Sequence, residues 1–411
     1  MADEAWGSEA FITENFRRFY ASNAHKVEPP TELTNREFGF LSFGGRSMFR
    51  HVGFRDTQEL RRHLMEYAPA HSYHSAAYYE HPQATMDKKN WLGADLVFDI
   101  DIDHFDLPCQ KNHDRWMCNG CGMQGVGHPP ESCPKCGKSS YTEENWLCSD
   151  CLAAAKYEIQ KLIDILVQDL GFSDADELDV NFSGNRGYHV HVRSPKVRML
   201  NQVARRELVD YIMGTGIEAE YQGFTTRAVG GGSTLRVGGW RTRTIQALYD
   251  YIQDMTEDDA KRLKFRKPTI EKLFENRGNI TKALMERHPS AVNRYIDPKH
   301  LEKILAEAVK TQGSEIDTVV TTDLRRLIRL PNTLHGKTGW LVQPLTMDSL
   351  SDYDPLMEAI AFREGSAKIH VRHIPELEVM GEKYGPIEDE TVELPLAVAL
   401  FILCRKAGRV V

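Results

Sequence analysis

The chain has 411 residues, 41% of them hydrophobic and 27% charged, with a net charge of −8. That length exceeds one simple core and allows either two to three domains or one large domain with insertions. The acidic balance excludes nucleic-acid binding by bulk positive charge, though not a local basic groove, and no apolar run approaches the roughly 20 residues a membrane helix needs.

The opening MADEAWGSEAFITENF is acidic, unlike a signal or transit peptide, so a cytoplasmic protein with no membrane association is expected. Residues 13–22 are predicted helical, and Pro29, Pro30 and Asn35 break that pattern. REFGFLSFGGRSMFRHVGF (36–54) predicts strand, glycine turn and strand. Asp56 is placed to cap a helix through TQELRRHLMEYA. SYHSAAYYEHP (72–82) predicts a further strand, and LVFDIDID (96–103) another.

In that last strand Asp99, Asp101 and Asp103 fall on one face and Phe98, Ile100 and Ile102 on the other. Same-face positions are roughly 6.6–7 Å apart, within reach of shared cations. A half-exposed strand is the plain alternative. Aspartate is depleted from strands, however, and like charges on one face repel unless neutralised. The pattern therefore favours a hard cation such as Mg²⁺, with Asp103 placed at the strand end as a turn residue.

Residues 104–151 replace apolar periodicity with Cys, Gly, Pro and Lys, and this predicts a metal-held insertion. Eight cysteines in a chain read as cytoplasmic point to metal rather than disulfides, and seven of them lie between 109 and 151. Cys118, Cys121, Cys133 and Cys136 form C-x2-C, eleven residues, C-x2-C, the spacing of a four-cysteine zinc ribbon. Cys109 and a third C-x2-C, Cys148 and Cys151, are left over, while Cys404 inside LFILCRKAG reads as a core residue.

An amphipathic helix is predicted from about Leu152 to Leu170, stopped by Gly171. LDVNF (178–182) and YHVHV (188–192) are predicted strands around SGNRG. That loop places Ser183, two glycines and Arg186 together, with His189 following, a combination suited to phosphate. A plain polar turn would use similar residues. Residues 198–310 are expected to be mainly helical and charge-rich, interrupted at 228–244 by AVGGGSTLRVGGWRTRT, a basic hairpin or mobile loop.

EIDTVVTT (315–322) is predicted as a strand. Asp317 is the leading candidate for a third carboxylate; Asp323, which suits an N-cap before LRRLIR, and Glu315 are the alternatives. Arg326, Arg329, His335 and Lys337 then bring four cationic or near-cationic groups within twelve residues. Paired acids beside phosphate-binding cations favour nucleotidyl transfer. A short apolar helix, LPLAVALFILCRKAG, lies in the last 60 residues.

Four blocks, NREFGF, LVFDIDI, SGNRGYHVHV and DTVVTTDLRRLIRLPNTLHGKTG, occur in order over Asn35–Gly339. In them the sequence resembles the small catalytic subunit of the archaeal and eukaryotic type of DNA primase, nearer the archaeal form. The resemblance implies an α/β fold in which a mixed-sheet catalytic core carries a zinc-binding insertion and a helical subdomain. The expected segments are 1–103, 152–197 and 311–411 for the core, 104–151 for the zinc insertion and 198–310 for the helical part.

It also implies that Asp99, Asp101 and Asp317 bind two catalytic Mg²⁺ or Mn²⁺ ions, and that Ser183, Arg186, His189, Arg329 and His335 hold a nucleoside triphosphate. Glu37 and Arg50 would line the nucleotide pocket; Asn185 stands where the family often has arginine. A zinc knuckle of Cys109, His113, Cys148 and Cys151 would accompany the ribbon, with His104 and His128 less well placed and exchange of ligands between the sites left open.

The implied activity is templated synthesis of short RNA, and possibly DNA, primers on single-stranded DNA from NTPs or dNTPs, in a heterodimer with a large subunit carrying an iron–sulfur cluster. A primase-like repair or gap-filling polymerase, and a non-catalytic zinc-ribbon nucleic-acid binding protein, are the rival readings.

Overall fold

The computed structural model describes residues 2–45, 47–173, 175–218, 222, 224, 238–286 and 288–411, without the side chains of 2–7 and 104. The chain is mixed α/β and divides into two compact units, one of residues 1–157, 174–203 and 317–411, the other of 158–173 and 204–316. No described helix is long and apolar enough to cross a membrane.

The central strands of the first unit are β1 (Phe38–Leu41), β2 (Phe49–Val52), β3 (His71–Ser75), β4 (Leu96–Asp101), β5 (Leu178–Phe182), β6 (Gly187–Val192), β7 (Leu327–Arg329) and β8 (Gln343–Leu345). They make two four-stranded sheets, ordered β7-β3-β1-β2 and β8-β5-β6-β4. Every pair in both is antiparallel, so the mixed sheet expected from the sequence is corrected to two antiparallel ones. The hairpins β1–β2 and β5–β6 impose that sense directly, because a short link can only reverse the chain.

The helices include α1 (Ala2–Asn23), α2 (Thr57–Tyr67), α3 (Ser149–Asp164), α4 (Thr318–Thr322) and α5 (Leu396–Cys404). Asp56 caps α2 by accepting the Glu59 N–H at 2.8 Å, as its sequence position predicts. The α3 helix ends in a wider turn at Ile165–Asp169 before Gly171, which has φ +69°. Residues Ala397–Leu403 of α5 are all buried, so this helix is held rigidly from every side. A further antiparallel sheet, Ile387–Pro395, Ser366–Ile374 and Gly408–Val410, packs beside it.

The strand expected over 72–82 is two, β3 and Ala77–Tyr79, parted at Ala76. Buried Arg36 explains the break. Its guanidinium takes the carbonyls of Ser75 (3.0 Å) and Ala76 (2.8 Å), pairs with Asp95 at 2.7 Å and lies 3.6 Å from the Tyr78 ring centre. Removing one partner of a buried pair strands the other charge. Arg36→Ala is therefore expected to cost about 3 kcal/mol or more in a urea unfolding titration.

The second unit is helical. Its core gathers Trp240, Leu248, Ile252, Leu284, Leu301, Ile304 and neighbouring apolar residues from helices that include Gly239–Asp254, Arg277–Met285 and Pro298–Gln312. It occupies most of the segment expected to be helical over 198–310. Of the basic stretch 228–244, residues 228–237 lie outside the described residues, and Gly239–Thr244 begin a helix rather than a hairpin or loop.

Candidate active site

Among the described residues the acidic strand β4 is the edge of its sheet, paired with β6 alone, in a register that sets Asp99 opposite His189 and Asp101 opposite Gly187. Its two faces differ from a simple apolar/polar split. Val97 shares the face of Asp99 yet is buried in a cluster with Ala76, Val320 and Ile328. That face therefore passes from core at Val97 to partly exposed carboxylate at Asp99 and Asp101.

Asp317 does not open a strand. The segment expected as one over 315–322 is the short helix α4, and Asp317 is its N-cap, accepting the N–H groups of Val319 (2.8 Å) and Val320 (3.3 Å). The physical reason is local: an aspartate that bonds the next turn's donors outweighs the strand preference of Val-Val-Thr-Thr. Asp323 is likewise not an N-cap for a helix over LRRLIR. It closes α4, accepts the Arg325 N–H at 2.9 Å, and is followed by β7.

The Asp317 N–H donates to the Asp99 carbonyl at 2.8 Å, which fixes α4 against β4. Burial, together with the charges of Asp101 and Asp317, pushes the Asp99 carboxyl up to about 7 against the opposing pull of Arg326 and Arg329. His189 Nε2 lies 3.5 Å from Asp99, and burial, with Arg329 and Arg326 adding to it, lowers that imidazole to about 3. It is thus a neutral ring beside the acids.

Asp103 leaves this face. It sits in the tight turn Ile102–His104, donates its N–H to Asp101 Oδ1 at 3.1 Å, and ion-pairs with Arg186. Arg186 is buried and also donates to the Trp146 carbonyl at 3.2 Å. The Ser183 hydroxyl accepts the Gly187 N–H at 3.2 Å and closes the SGNRG loop from within.

The two glycines of that loop act through packing. Gly184 has φ +81° and a Cβ there would lie 2.8 Å from His335 Cβ; at Gly187 a Cβ would meet the Ile100 carbonyl oxygen at 1.8 Å. Both let the loop press against its neighbours. Thr338 then ties the two loops by donating to the Gly184 carbonyl at 2.6 Å.

Arg329 projects from β7 and donates to His71 Nδ1 (2.9 Å) and Tyr73 Oη (3.2 Å). His335 is buried, edge-on to His71 with ring centres 4.8 Å apart, and burial with the nearby Arg329 keeps it neutral, well below the usual imidazole range. Sequence reasoning missed His71 and Tyr73. Their one signal was alternation, which puts both on one face of β3.

Glu37 and Arg50 are brought together, but with each other. Buried Glu37 accepts from Arg50 Nε at 3.1 Å and the His51 N–H at 3.2 Å, and pairs with Lys89 at 3.3 Å. Its carboxylate is engaged on the β1–β2 hairpin by these three neighbours.

Two sets of side chains have all ligand atoms within 4.8 Å of one another: Cys109, His113, Cys148 and Cys151, and Cys118, Cys121, Cys133 and Cys136. Sulfur pairs stand at 3.5 Å (Cys109–Cys151) and 3.6 Å (Cys118–Cys136, Cys121–Cys133). The edge of a tetrahedron with Zn–S near 2.3 Å is roughly 3.8 Å, so both sets could bind zinc. The Gly120 N–H on Cys118 holds that thiol down, to about 7. His113 turns Nε2 to the thiols, 3.3 Å from Cys151, and donates Nδ1–H to Asp114 at 2.8 Å, the outer-shell support usual for a metal-bound imidazole. His128 instead bonds the Phe105 carbonyl at 2.8 Å.

A family model described as DNA primase small subunit matches residues 133–347. A protein of Cenarchaeum symbiosum (strain A) named DNA primase small subunit PriS is 32% identical over 394 aligned positions, covering 96% of this chain and 96% of its own. Proteins of the same name from Methanocella arvoryzae and Halorubrum lacusprofundi are 34% and 33% identical, each over 97% of both chains.

Proposed function

The chain belongs to the DNA primase small-subunit family, and from that premise we propose that it makes short RNA primers on single-stranded DNA by templated nucleotidyl transfer. The observation that carries the mechanism is the docking of α4 on β4, where the Asp317 N–H bonds the Asp99 carbonyl at 2.8 Å and so brings Asp317 to the strand that carries Asp99 and Asp101, with His189 Nε2 3.5 Å from Asp99. Crowded acids bordered by cations suit a reaction in which metal ions and a triphosphate meet.

Asp99, Asp101 and Asp317 would hold two Mg²⁺ or Mn²⁺ ions, which when bound polarise an attacking 3′-hydroxyl and neutralise charge on the departing pyrophosphate. Neutral His189 can donate a hydrogen bond to a phosphate oxygen without competing for the cations. Arg329, positioned by His71 and Tyr73, and Arg186, positioned by Trp146, would orient the triphosphate. Among the described residues the Ser183 hydroxyl only accepts, so its proton would serve the same ligand. His335 would act through packing on Gly184 and His71. Glu37 and Arg50 would shape the pocket wall as an ion pair. The two cysteine sets would hold structural zinc, since four protein ligands leave no open position.

A partner follows from the same reading. The relatives are named small subunits, and a large subunit bearing an iron–sulfur cluster is proposed to complete the primase. The test is primer synthesis on unprimed single-stranded DNA with NTPs, with and without that partner. De novo products are expected. Extension of supplied primers without any initiation would instead favour the gap-filling reading.

A further inference from the structure

A cavity of about 310 Å³ opens beside the SGNRG loop. Four cations line it: Arg186, Lys337, Arg405 and Lys406. Arg405 comes from the far end of the sequence, immediately after α5, and no reading of the motifs included it. Its placement is built rather than incidental. The preceding helix is buried along its length. One guanidinium nitrogen donates to the Asn145 carbonyl at 2.5 Å and another to Asn185 Oδ1 at 2.9 Å, and the group lies 4.5 Å from the Phe401 ring centre. Asn145 and Trp146 are consecutive, so adjacent carbonyls hold the guanidinium groups of Arg405 and Arg186 side by side.

Three acids also line the cavity: Asp103, committed to Arg186, Glu144, 3.9 Å from Arg372, and Glu143, so the cations outnumber them by one. Arg405 and Lys337 take part in no ion pair among the described residues. Burial and the neighbouring Arg186 bring Arg405 down to about 9, and Lys337 is lowered by burial and by Arg329, Arg405 and Arg186. Cations gathered at this cost fit a polyanionic ligand with several oxygens to share.

We propose that Arg405 is a ligand of the terminal phosphates of the incoming nucleoside triphosphate, supplied by the C-terminal helix and held in place by the side chain of Asn185. This rests on the nucleotidyl-transfer reading above. It assigns Asn185 a positioning role: its amide oxygen aims the arginine that its own position lacks.

The experiment measures dissociation constants of ATP and AMP, with Mg²⁺ and a single-stranded oligothymidylate, for the full chain and for Arg405→Gln, Arg405→Lys, Asn185→Ala and Arg186→Gln. Loss of charge-assisted hydrogen bonds predicts ATP binding about 10- to 100-fold weaker in Arg405→Gln. AMP binding should change less than about twofold, because AMP lacks the terminal phosphates. Arg405→Lys should recover part of the loss, and Asn185→Ala should show a smaller one. In primer extension KM for the nucleotide should rise with kcat largely kept.

Unchanged ATP affinity in Arg405→Gln alongside a weakened Arg186→Gln overturns this inference and leaves the primase reading intact. Equal loss of ATP and AMP, with a lowered melting temperature, also overturns it by making Arg405 a structural residue. Failure of the unmodified chain to bind ATP under any of these conditions overturns both.

Discussion

Asp99→Asn is expected to abolish primer synthesis while making the metal-free protein more stable. Losing a charged cation ligand removes several kcal/mol of transition-state stabilisation, hence a rate loss of about a thousandfold or more. The stability gain comes from relieving a buried carboxyl that Asp101 and Asp317 also repel. Burial pushes the Asp99 carboxyl up to about 7 in the fold, against about 3.9 unfolded. Between those values the folded state binds more protons than the unfolded one, so stability falls as pH rises through that window and the full cost is present above it. That difference corresponds to about 4 kcal/mol. With chelator present, Asp99→Asn should melt above the unmodified protein at pH 8, and the two should converge near pH 4. Added Mg²⁺ should raise the melting temperature of the unmodified protein and leave the variant little changed. Retained activity would exclude the proposed metal site. A variant that melts lower at pH 8 would show that Asp99 is not under repulsive strain.

The elements around this site differed in how far local sequence could reveal them. Asp56 and the β1–β2 hairpin obey short-range rules of capping and turn chemistry, and both form where the residues place them. The two four-cysteine sets were legible because thiol spacing is itself a local constraint, although the knuckle needed the family resemblance to join Cys109 and His113 to Cys148 and Cys151. Asp317 stands beside Asp99, but on a helix where the sequence predicts a strand. Five residues of Val and Thr carry strand preference, and only the cap contact decides otherwise. The division of labour along β4 was hidden as well. Nothing in LVFDIDID says that Val97 is roofed by Val320 and Ile328 while Asp99 is not. Arg405 and Asp114 were invisible for a plainer reason. Each acts through a backbone carbonyl or amide of the 145–146 segment, and such contacts leave no pattern in the side-chain sequence.

Loss of the knuckle metal is expected to damage triphosphate binding, whereas loss of the ribbon metal is not. The connection runs through a single carboxylate. Asp114 Oδ1 accepts both the His113 Nδ1–H at 2.8 Å and the Trp146 N–H at 2.7 Å, and the Trp146 carbonyl in turn receives Arg186 at 3.2 Å. A bound ion that orients His113 therefore orients the segment that carries Arg186. The ribbon ligands Cys118, Cys121, Cys133 and Cys136 have no comparable hydrogen bond to that arginine among the described residues. Removing an outer-shell carboxylate typically weakens metal affinity about 10- to 100-fold. Asp114→Ala should accordingly lose one of two zinc ions on mild chelation and bind ATP about tenfold or more weakly, because it also frees the buried Arg186 support. Cys121→Ser with Cys136→Ser should likewise fall from two zinc ions to one by elemental analysis, but keep its ATP affinity within about threefold, for lack of any such link. Equal loss of ATP binding in both variants would reduce the knuckle to general stabilisation. Unchanged affinity in Asp114→Ala would separate the metal from the triphosphate site altogether. The expected asymmetry would make the knuckle part of the scaffold of the proposed site, joined to Arg186 of the SGNRG loop through one aspartate and one peptide group.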